Sequence, residues 1–365
     1  SALAGLAPGE QAVIANFDAY ADTDCDGLPN SREVDAGTLI DNPDSDNDGL
    51  TDGYEVRYGL NPRTDQRPDT DGQAPGDDPD GDGLDNLGEQ AAHTDPHNPD
   101  TDGGGLSDGI EVLQRGSDPL DPGDDYIDLP VRLTDGNGYG WDIQPDGQII
   151  GGTNVVYDNG MDLRIGYHYF PNFTAALAED YARELVIGPD SYAGLQITRK
   201  VFVPENDAFL RYLDIFENPG AEAVTVTAQI YTKLDSRARF IETASGDASF
   251  GTRDDFIITD DYTIDGWYEP ALVHVFSGAQ APEEPSAVYT DAPDGYIIWY
   301  EFEITLAAGE RKILMHFASQ NANHAAAAAS AQTLHCLQGH ALDGLAPDEQ
   351  ADIVNFVAYP DADCD

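Results

Sequence analysis

From Tyr126 to about residue 320, short β-patterned runs recur between turn signals, some with apolar and polar residues alternating at a period of two. The clearest run sets Val224, Val226, Ala228 and Ile230 on one face against Thr225, Thr227, Gln229 and Tyr231 on the other. That period is the signature of a half-buried strand. Similar runs cover 129–134, 139–143, 195–203, 209–216, 223–233, 256–259, 271–276, 296–306 and 311–319. Turn pairs separate many of them: Asp135-Gly136, Asp146-Gly147, Asn159-Gly160 and Asp294-Gly295. Many short strands with few helices predict a large antiparallel β-sandwich over 126–320.

The pattern is different elsewhere. Residues 22–125 hold few large apolar side chains and about 30 acidic against 5 basic residues. Such a stretch cannot bury enough apolar surface to order itself. Residues 321–338 read as an alanine-rich helix carrying Cys336. A short helix is predicted over 6–20, where Pro8 suits the first turn and Ile14 and Phe17 share a face. The expected organisation is therefore a junction helix over 1–21, an acidic region over 22–125, the sandwich, and junction helices over 321–365.

The second junction helix, over about 347–359, copies the first. Residues 2–26 and 341–365 are identical at 18 of 25 aligned positions. We read the chain as one period plus an overlap of a longer tandem-repeat protein. Cys364 then duplicates Cys25, leaving two cysteines per period. The simplest pairing joins Cys336 to Cys364, closing a loop worth about 3.5 kcal/mol by chain entropy. Cys25 would bond to the preceding unit, which implies an oxidising, extracellular or cell-surface setting.

Composition adds a charge argument. With 17 basic and 69 acidic residues, the formal net charge is −52. Nucleic acid and anionic membrane surfaces would repel such a chain, and a cation is its natural partner. No apolar run is long enough to insert into a membrane.

The acidic region contains four versions of D-x-D-x-D-G-x-x-[DN]-x-x-E. The first comprises Asp22, Asp24, Asp26, Gly27, Asn30 and Glu33; the second Asp44, Asp46, Asp48, Gly49, Asp52 and Glu55. The third comprises Asp78, Asp80, Asp82, Gly83, Asn86 and Glu89; the fourth Asp100, Asp102, Gly104, Gly105, Asp108 and Glu111. Ca²⁺ takes six to eight oxygens. Carboxylates at positions 1, 3 and 5 converge when the chain coils, glycine at 6 makes the sharp turn, position 9 gives a side chain or water, and glutamate at 12 binds through both oxygens. Position 7 (Leu28, Leu50, Leu84, Leu106) offers its carbonyl to the ion and its side chain to a small core. Four such loops predict about four Ca²⁺ ions. The fourth has Gly104 at position 5, so its affinity should be lowest, or a water fills the gap. Asp69 and Asp71 read as remnants of a fifth loop or as extra ligands.

The segments PDTDGGGLSDGIE and NPDSDNDGLTDGYEVRYGLNP resemble thrombospondin type 3 repeats and their bacterial relatives over residues 20–125. The resemblance implies a calcium-stiffened spacer of extracellular proteins with little hydrophobic core. It also implies second-rank ligands from flanking acids, here Asp41, Asp95 and Asp118. The remainder resembles, more loosely, β-rich modules of large bacterial surface proteins.

No H-E-x-x-H, G-x-S-x-G or phosphate-loop motif occurs. His168, His274 and His316 lie in β-patterned sequence without metal-ligand spacing. Asn172-Phe173-Thr174 is a glycosylation sequon. The expectation is a mainly β, non-enzymatic structural unit of an extracellular filament, fibre or adhesin stalk, joined head-to-tail to copies of itself. The alternative is a secreted carbohydrate-binding or carbohydrate-active protein, its glycan stacked on Trp141, Trp267, Tyr268, Trp299 and Tyr300. Burial of those aromatic residues in the sandwich core favours the first reading; their exposure along one groove favours the second. A halophile enzyme would account for the acidity but not for the loop spacing.

Overall fold

The computed structural model describes residues 18, 20–63, 72–260 and 269–357. The chain divides after Asp125 into two compact units.

The first unit repeats one local design four times. Each acidic loop runs into a short helix: α1 (Asn30–Ala36), α2 (Asp52–Tyr58), α3 (Asn86–Ala92) and α4 (Asp108–Ile110), the last continued by a π-turn over Glu111–Arg115. Loop position 8 is the N-cap. Thr51, Asp85 and Ser107 accept a hydrogen bond there from the backbone N–H of Tyr54, Gly88 and Ile110. Each helix stops at a left-handed residue: Gly37, Gly59, His93 and Gly116. The position-7 leucines are buried as their pattern predicts, Leu50 beside Tyr54 and Leu60.

The repeats join in series: Gln90 of the third bonds Thr51 and Gly49 of the second, and two aspartates make the other links. Asp26 Oδ2 accepts from Gly53 N, and Asp82 Oδ2 from Gly109 N. A Cβ at Gly53 would sit 3.0 Å from the Asp26 carbonyl carbon, and one at Gly109 would sit 3.1 Å from that of Asp82. Only glycine admits this close backbone approach.

The second unit is a sandwich of two antiparallel sheets. One runs β1 (Tyr126–Asp128), β7 (Ala175–Glu179), β8 (Glu184–Tyr192), β9 (Leu195–Phe202), β10 (Leu210–Glu217), β17 (Arg311–Asn321), β14 (Ala271–Val275), β13 (Phe256–Asp260), β12 (Phe240–Thr243). The other runs β15 (Ala287–Thr290), β16 (Gly295–Leu306), β11 (Val224–Ala238), β5 (Tyr157–Ile165), β4 (Ile149–Gly151), β3 (Gly140–Ile143), β2 (Val131–Thr134), with β6 (His168–Tyr169) paired to β5.

One expected turn differs. Asn159-Gly160 is not a turn between strands but a bulge inside β5. Met161 has φ 59° there, and its N–H donates to Thr232 Oγ1 because the β5–β11 ladder shifts register. Gly188-Pro189 makes a second bulge, in β8, between Ile187 and Asp190.

The helix predicted over 321–338 is α5 (His324–His335). The one predicted from Pro347 to Tyr359 is shorter, α6 (Pro347–Asp352); beyond it Ile353 forms a parallel bridge with Ile313. The helix predicted over 6–20 lies outside the described residues, apart from its last positions. On the face of the nine-stranded sheet away from its partner, Leu213, Ile215, Ile313, Met315 and Phe317 pack with Ala327, Ala331, Leu334, Leu345 and Phe356. The helical segments thus share one core with the sandwich.

Candidate metal centres

The four loops repeat one hydrogen-bond scheme. The position-1 carboxylate accepts from the N–H groups of positions 4 and 6: Asp22 from Cys25 and Gly27, Asp44 from Asn47 and Gly49, Asp78 from Gly81 and Gly83, Asp100 from Gly103 and Gly105. Position 6 has φ of 94°, 113°, 97° and 104° in the four loops, which glycine alone adopts without strain. The position-5 carboxylate accepts from the position-7 N–H: Leu28 to Asp26 at 2.7 Å, Leu50 to Asp48 and Leu84 to Asp82 at 2.8 Å. In this coil, oxygens of Asp22, Asp24 and Asp26 lie within 4.8 Å of one another, as do those of Asp44, Asp46 and Asp48 and those of Asp78, Asp80 and Asp82.

The position-12 glutamates Glu33, Glu55, Glu89 and Glu111 are all 0% exposed. Both carboxylate oxygens of Glu33 and of Glu55, Oε1 of Glu89 and Oε2 of Glu111 are buried without a hydrogen-bond partner. Burial, and then the neighbouring aspartates, push these groups up: Glu33 to about 7, Glu55 to about 9, Glu89 and Glu111 to about 8. Burial likewise raises Asp80 to about 6. Oriented, desolvated carboxylate oxygens with no ion-pair partner among the described residues suit a hard cation such as Ca²⁺, which would neutralise them and supply their missing partners.

Position 9 behaves differently from the expectation. Asp52 Oδ1 and Oδ2 accept from Ser45 N and Oγ at 2.9 and 2.6 Å, Asp108 from Thr101 N and Oγ1 at 2.9 and 2.7 Å, and Asn30 Oδ1 from Thr23 N and Oγ1. Asn86, facing Pro79 at position 2, donates instead to the carbonyls of Gly72 and Ala74. These side chains brace position 2 or the preceding turn, because each is carried inward on the first residue of a helix.

In the fourth loop the trio is Asp102, Glu111 and Asp125, and Asp100 is not part of it. At Gly104 the place of the missing side chain is taken by Asp125. Leu106 N donates to Asp125 Oδ2 at 2.8 Å, the bond that position 5 accepts in the other loops. Asp125 escaped the sequence reading because it lies outside the twelve-residue frame. The signal was the acidic run Asp121, Asp124, Asp125 just before the β pattern begins.

Among the described residues, Asp41 and Asp118 are exposed, Asp95 is half-buried, and none belongs to a carboxylate trio. Asp69, Asp71, Trp267, Tyr268 and Cys364 lie outside the described residues. Cys25 is an exposed free thiol at position 4 of the first loop, and Cys336 is buried. Asn172 is exposed.

The expected aromatic platform is split. Trp141 and Tyr300 are buried between the sheets, where Trp141 Nε1 donates to Asp135 Oδ2 and Tyr300 stacks on Phe276. Trp299 lies on the outer face of its sheet, stacked on Tyr289. His274 is buried and driven down to about 4 by desolvation; His316 is buried beside Asp214, and His168 pairs with Asp190. Among the described residues, no helix is long and apolar enough to cross a membrane.

Four coiled, aspartate-rich loops, each closed by a buried glutamate, define a calcium-binding repeat module. Residues 22–38, 44–62, 78–99 and 100–122 are bacterial TSP3 repeats, the thrombospondin type 3 class. No curated protein matches the chain. Among solved structures, it is similar to a polysaccharide lyase (13% identity, 54% of this chain and 31% of that one, TM-score 0.31). It is also similar to a candidate aldose 1-epimerase from Escherichia coli K12 (11% identity, 54% and 100%, TM-score 0.35). A third is heparinase III (14% identity, 46% and 24%, TM-score 0.29). The chain spans about a third of the polysaccharide lyase.

Proposed function

We propose that the chain is a calcium-stiffened structural unit of an extracellular filament, fibre or adhesin stalk, joined head-to-tail to copies of itself. The supporting observation is how the second copy of the repeated segment is seated on the sandwich. Ala341 and Leu345 are buried in the core. Glu349 pairs with Lys200 at 2.7 Å. Asn355 is 0% exposed; its Nδ2 donates to the carbonyls of Phe276 and Met315 at 2.7 Å, and its Oδ1 accepts from Met315 N at 2.9 Å. Phe356 packs edge-on against Phe317.

The first copy carries the same side chains: Ala2, Leu6, Glu10, Ile14, Asn16 and Phe17. Among the described residues, the socket on the sandwich is filled by 341–356, and the first copy is written as a second plug. The first copy therefore belongs in the socket of a neighbouring unit. Cys336–Cys364 is the disulfide that would seal the plug, with Cys25 bonded to the preceding unit. One Ca²⁺ per loop, four in all, orders the acidic region between sandwiches, and extracellular calcium is high enough to fill such loops.

The test uses the full chain. Asn355→Ala with Phe356→Ala vacates the socket, and light scattering should then show head-to-tail oligomers. Adding Asn16→Ala and Phe17→Ala should return the protein to monomer. A vacated chain that stays monomeric, or association indifferent to Asn16 and Phe17, overturns the reading.

A second reading rests on the outer face of the eight-stranded sheet. Tyr169, Arg164, Tyr231, Trp299 and Tyr289 form a continuous row there, with the Arg164 guanidinium 3.8 Å from the centre of the Tyr231 ring. Such a row suits a sugar ring. Retardation by soluble polysaccharides that Trp299→Ala abolishes would favour it; no retardation would remove it.

A further inference from the structure

We infer that Asp125 is the working position-5 ligand of the fourth calcium loop, so that the ion there ties down the last residue before the sandwich. The inference rests on the calcium reading of the loops. Three observations carry it. Oxygens of Asp102, Glu111 and Asp125 lie within 4.8 Å of one another. Asp125 is 0% exposed, and its Oδ1 has no hydrogen-bond partner, nor does Glu111 Oε2. Asp125 Oδ2 takes the Leu106 N–H that Asp26, Asp48 and Asp82 take from their own position-7 residues.

Gly104 is the complement of this arrangement. A Cβ there would sit 2.8 Å from both Asp125 Cγ and Pro122 Cα. A position-5 side chain and the returning 121–125 segment cannot share the space. In the other three loops the ion would order the loop, its helix and, through Asp26 and Asp82, the start of the next repeat's helix. In the fourth it also closes residues 112–124 into a loop pinned at Asp125. Tyr126, the next residue, opens β1. Calcium at this site thus fixes where the chain leaves the repeats.

The swap of one carboxylate for another tests this. Calcium titration calorimetry on the full chain should show one site weakened about 100-fold or more by Asp125→Ala, and by the gentler Asp125→Asn, with the other three unchanged. Gly104→Asp combined with Asp125→Ala should restore that site's affinity, because the ligand now comes from within the loop. Trypsin separates ligation from tethering. Calcium should protect Arg115 in the wild type, but neither in Asp125→Ala nor in the affinity-restored double variant. Four unchanged sites in Asp125→Ala, or Arg115 protection that does not depend on Asp125, would overturn the inference. Absence of calcium binding at every loop would instead overturn the repeat reading and this inference with it.

Discussion

Both units bury carboxylates, but among the described residues only the sandwich buries the cations to match. In the sandwich, Asp214 lies 3.0 Å from Arg199 Nε and 3.3 Å from His316, all three 0% exposed. Glu184 faces Arg211 at 3.1 Å and Lys200 at 3.5 Å. In the repeats, Glu33, Glu55, Glu89 and Glu111 are equally buried and face further aspartates. A buried charge must be neutralised by a partner, a proton or an ion. The sandwich encodes the partner, whereas the repeats leave it to the solvent. A region that outsources its counter-charge should depend on the supply of ions or protons, and its neighbour should not.

Chelation should break the two units apart most clearly. With excess chelator, amide exchange protection of the four repeat helices should vanish while β10 and β17 keep theirs. Equal loss in both units would contradict the comparison. Within the sandwich, Arg199→Ala leaves Asp214 buried with only His316 beside it and should cost about 3–5 kcal/mol. Calcium should not rescue that loss, as denaturant titrations with and without the ion would check.

Proton linkage is the next effect in size. The raised glutamates bind protons more tightly in the calcium-free fold than in the unfolded chain. Stability of the calcium-free repeats is therefore greatest at acid pH and falls as pH rises from about 4.5 toward 8–9. Calcium displaces those protons, so affinity should rise over the same window. Calorimetry at pH 7 in buffers of different ionisation heat should detect proton release; its absence would argue against metal at the position-12 glutamates. The smallest effect separates bracing from ligation. Asp52→Ala loses two hydrogen bonds to Ser45 and should cost about 1–3 kcal/mol, with the number of bound ions unchanged. Loss of one ion would restore position 9 to the ligand set.

The repeats were legible because a twelve-residue loop closes on itself. Distance along the chain then fixes distance in space. Gly27, Gly49, Gly83 and Gly105 announced the turns, and the position-7 leucines announced the small core. The sandwich was legible as strands but not as pairings. Asn159-Gly160 has the local chemistry of a turn, and only the neighbouring β11 makes it a bulge.

The sequence by itself determined that four acidic coils precede a β-sandwich and that one segment is written twice. The tertiary structure decided that position 9 braces its own loop or the turn before it, that Asp125 takes the N–H left over by the acid missing at Gly104, and that Asn355 locks the second copy into the sheet. The physical reason is range. Coils, caps and turns are settled by contacts within a dozen residues. A carboxylate returning to an earlier loop, or an amide satisfying the backbone of a distant strand, is settled only when chain segments far apart are packed together.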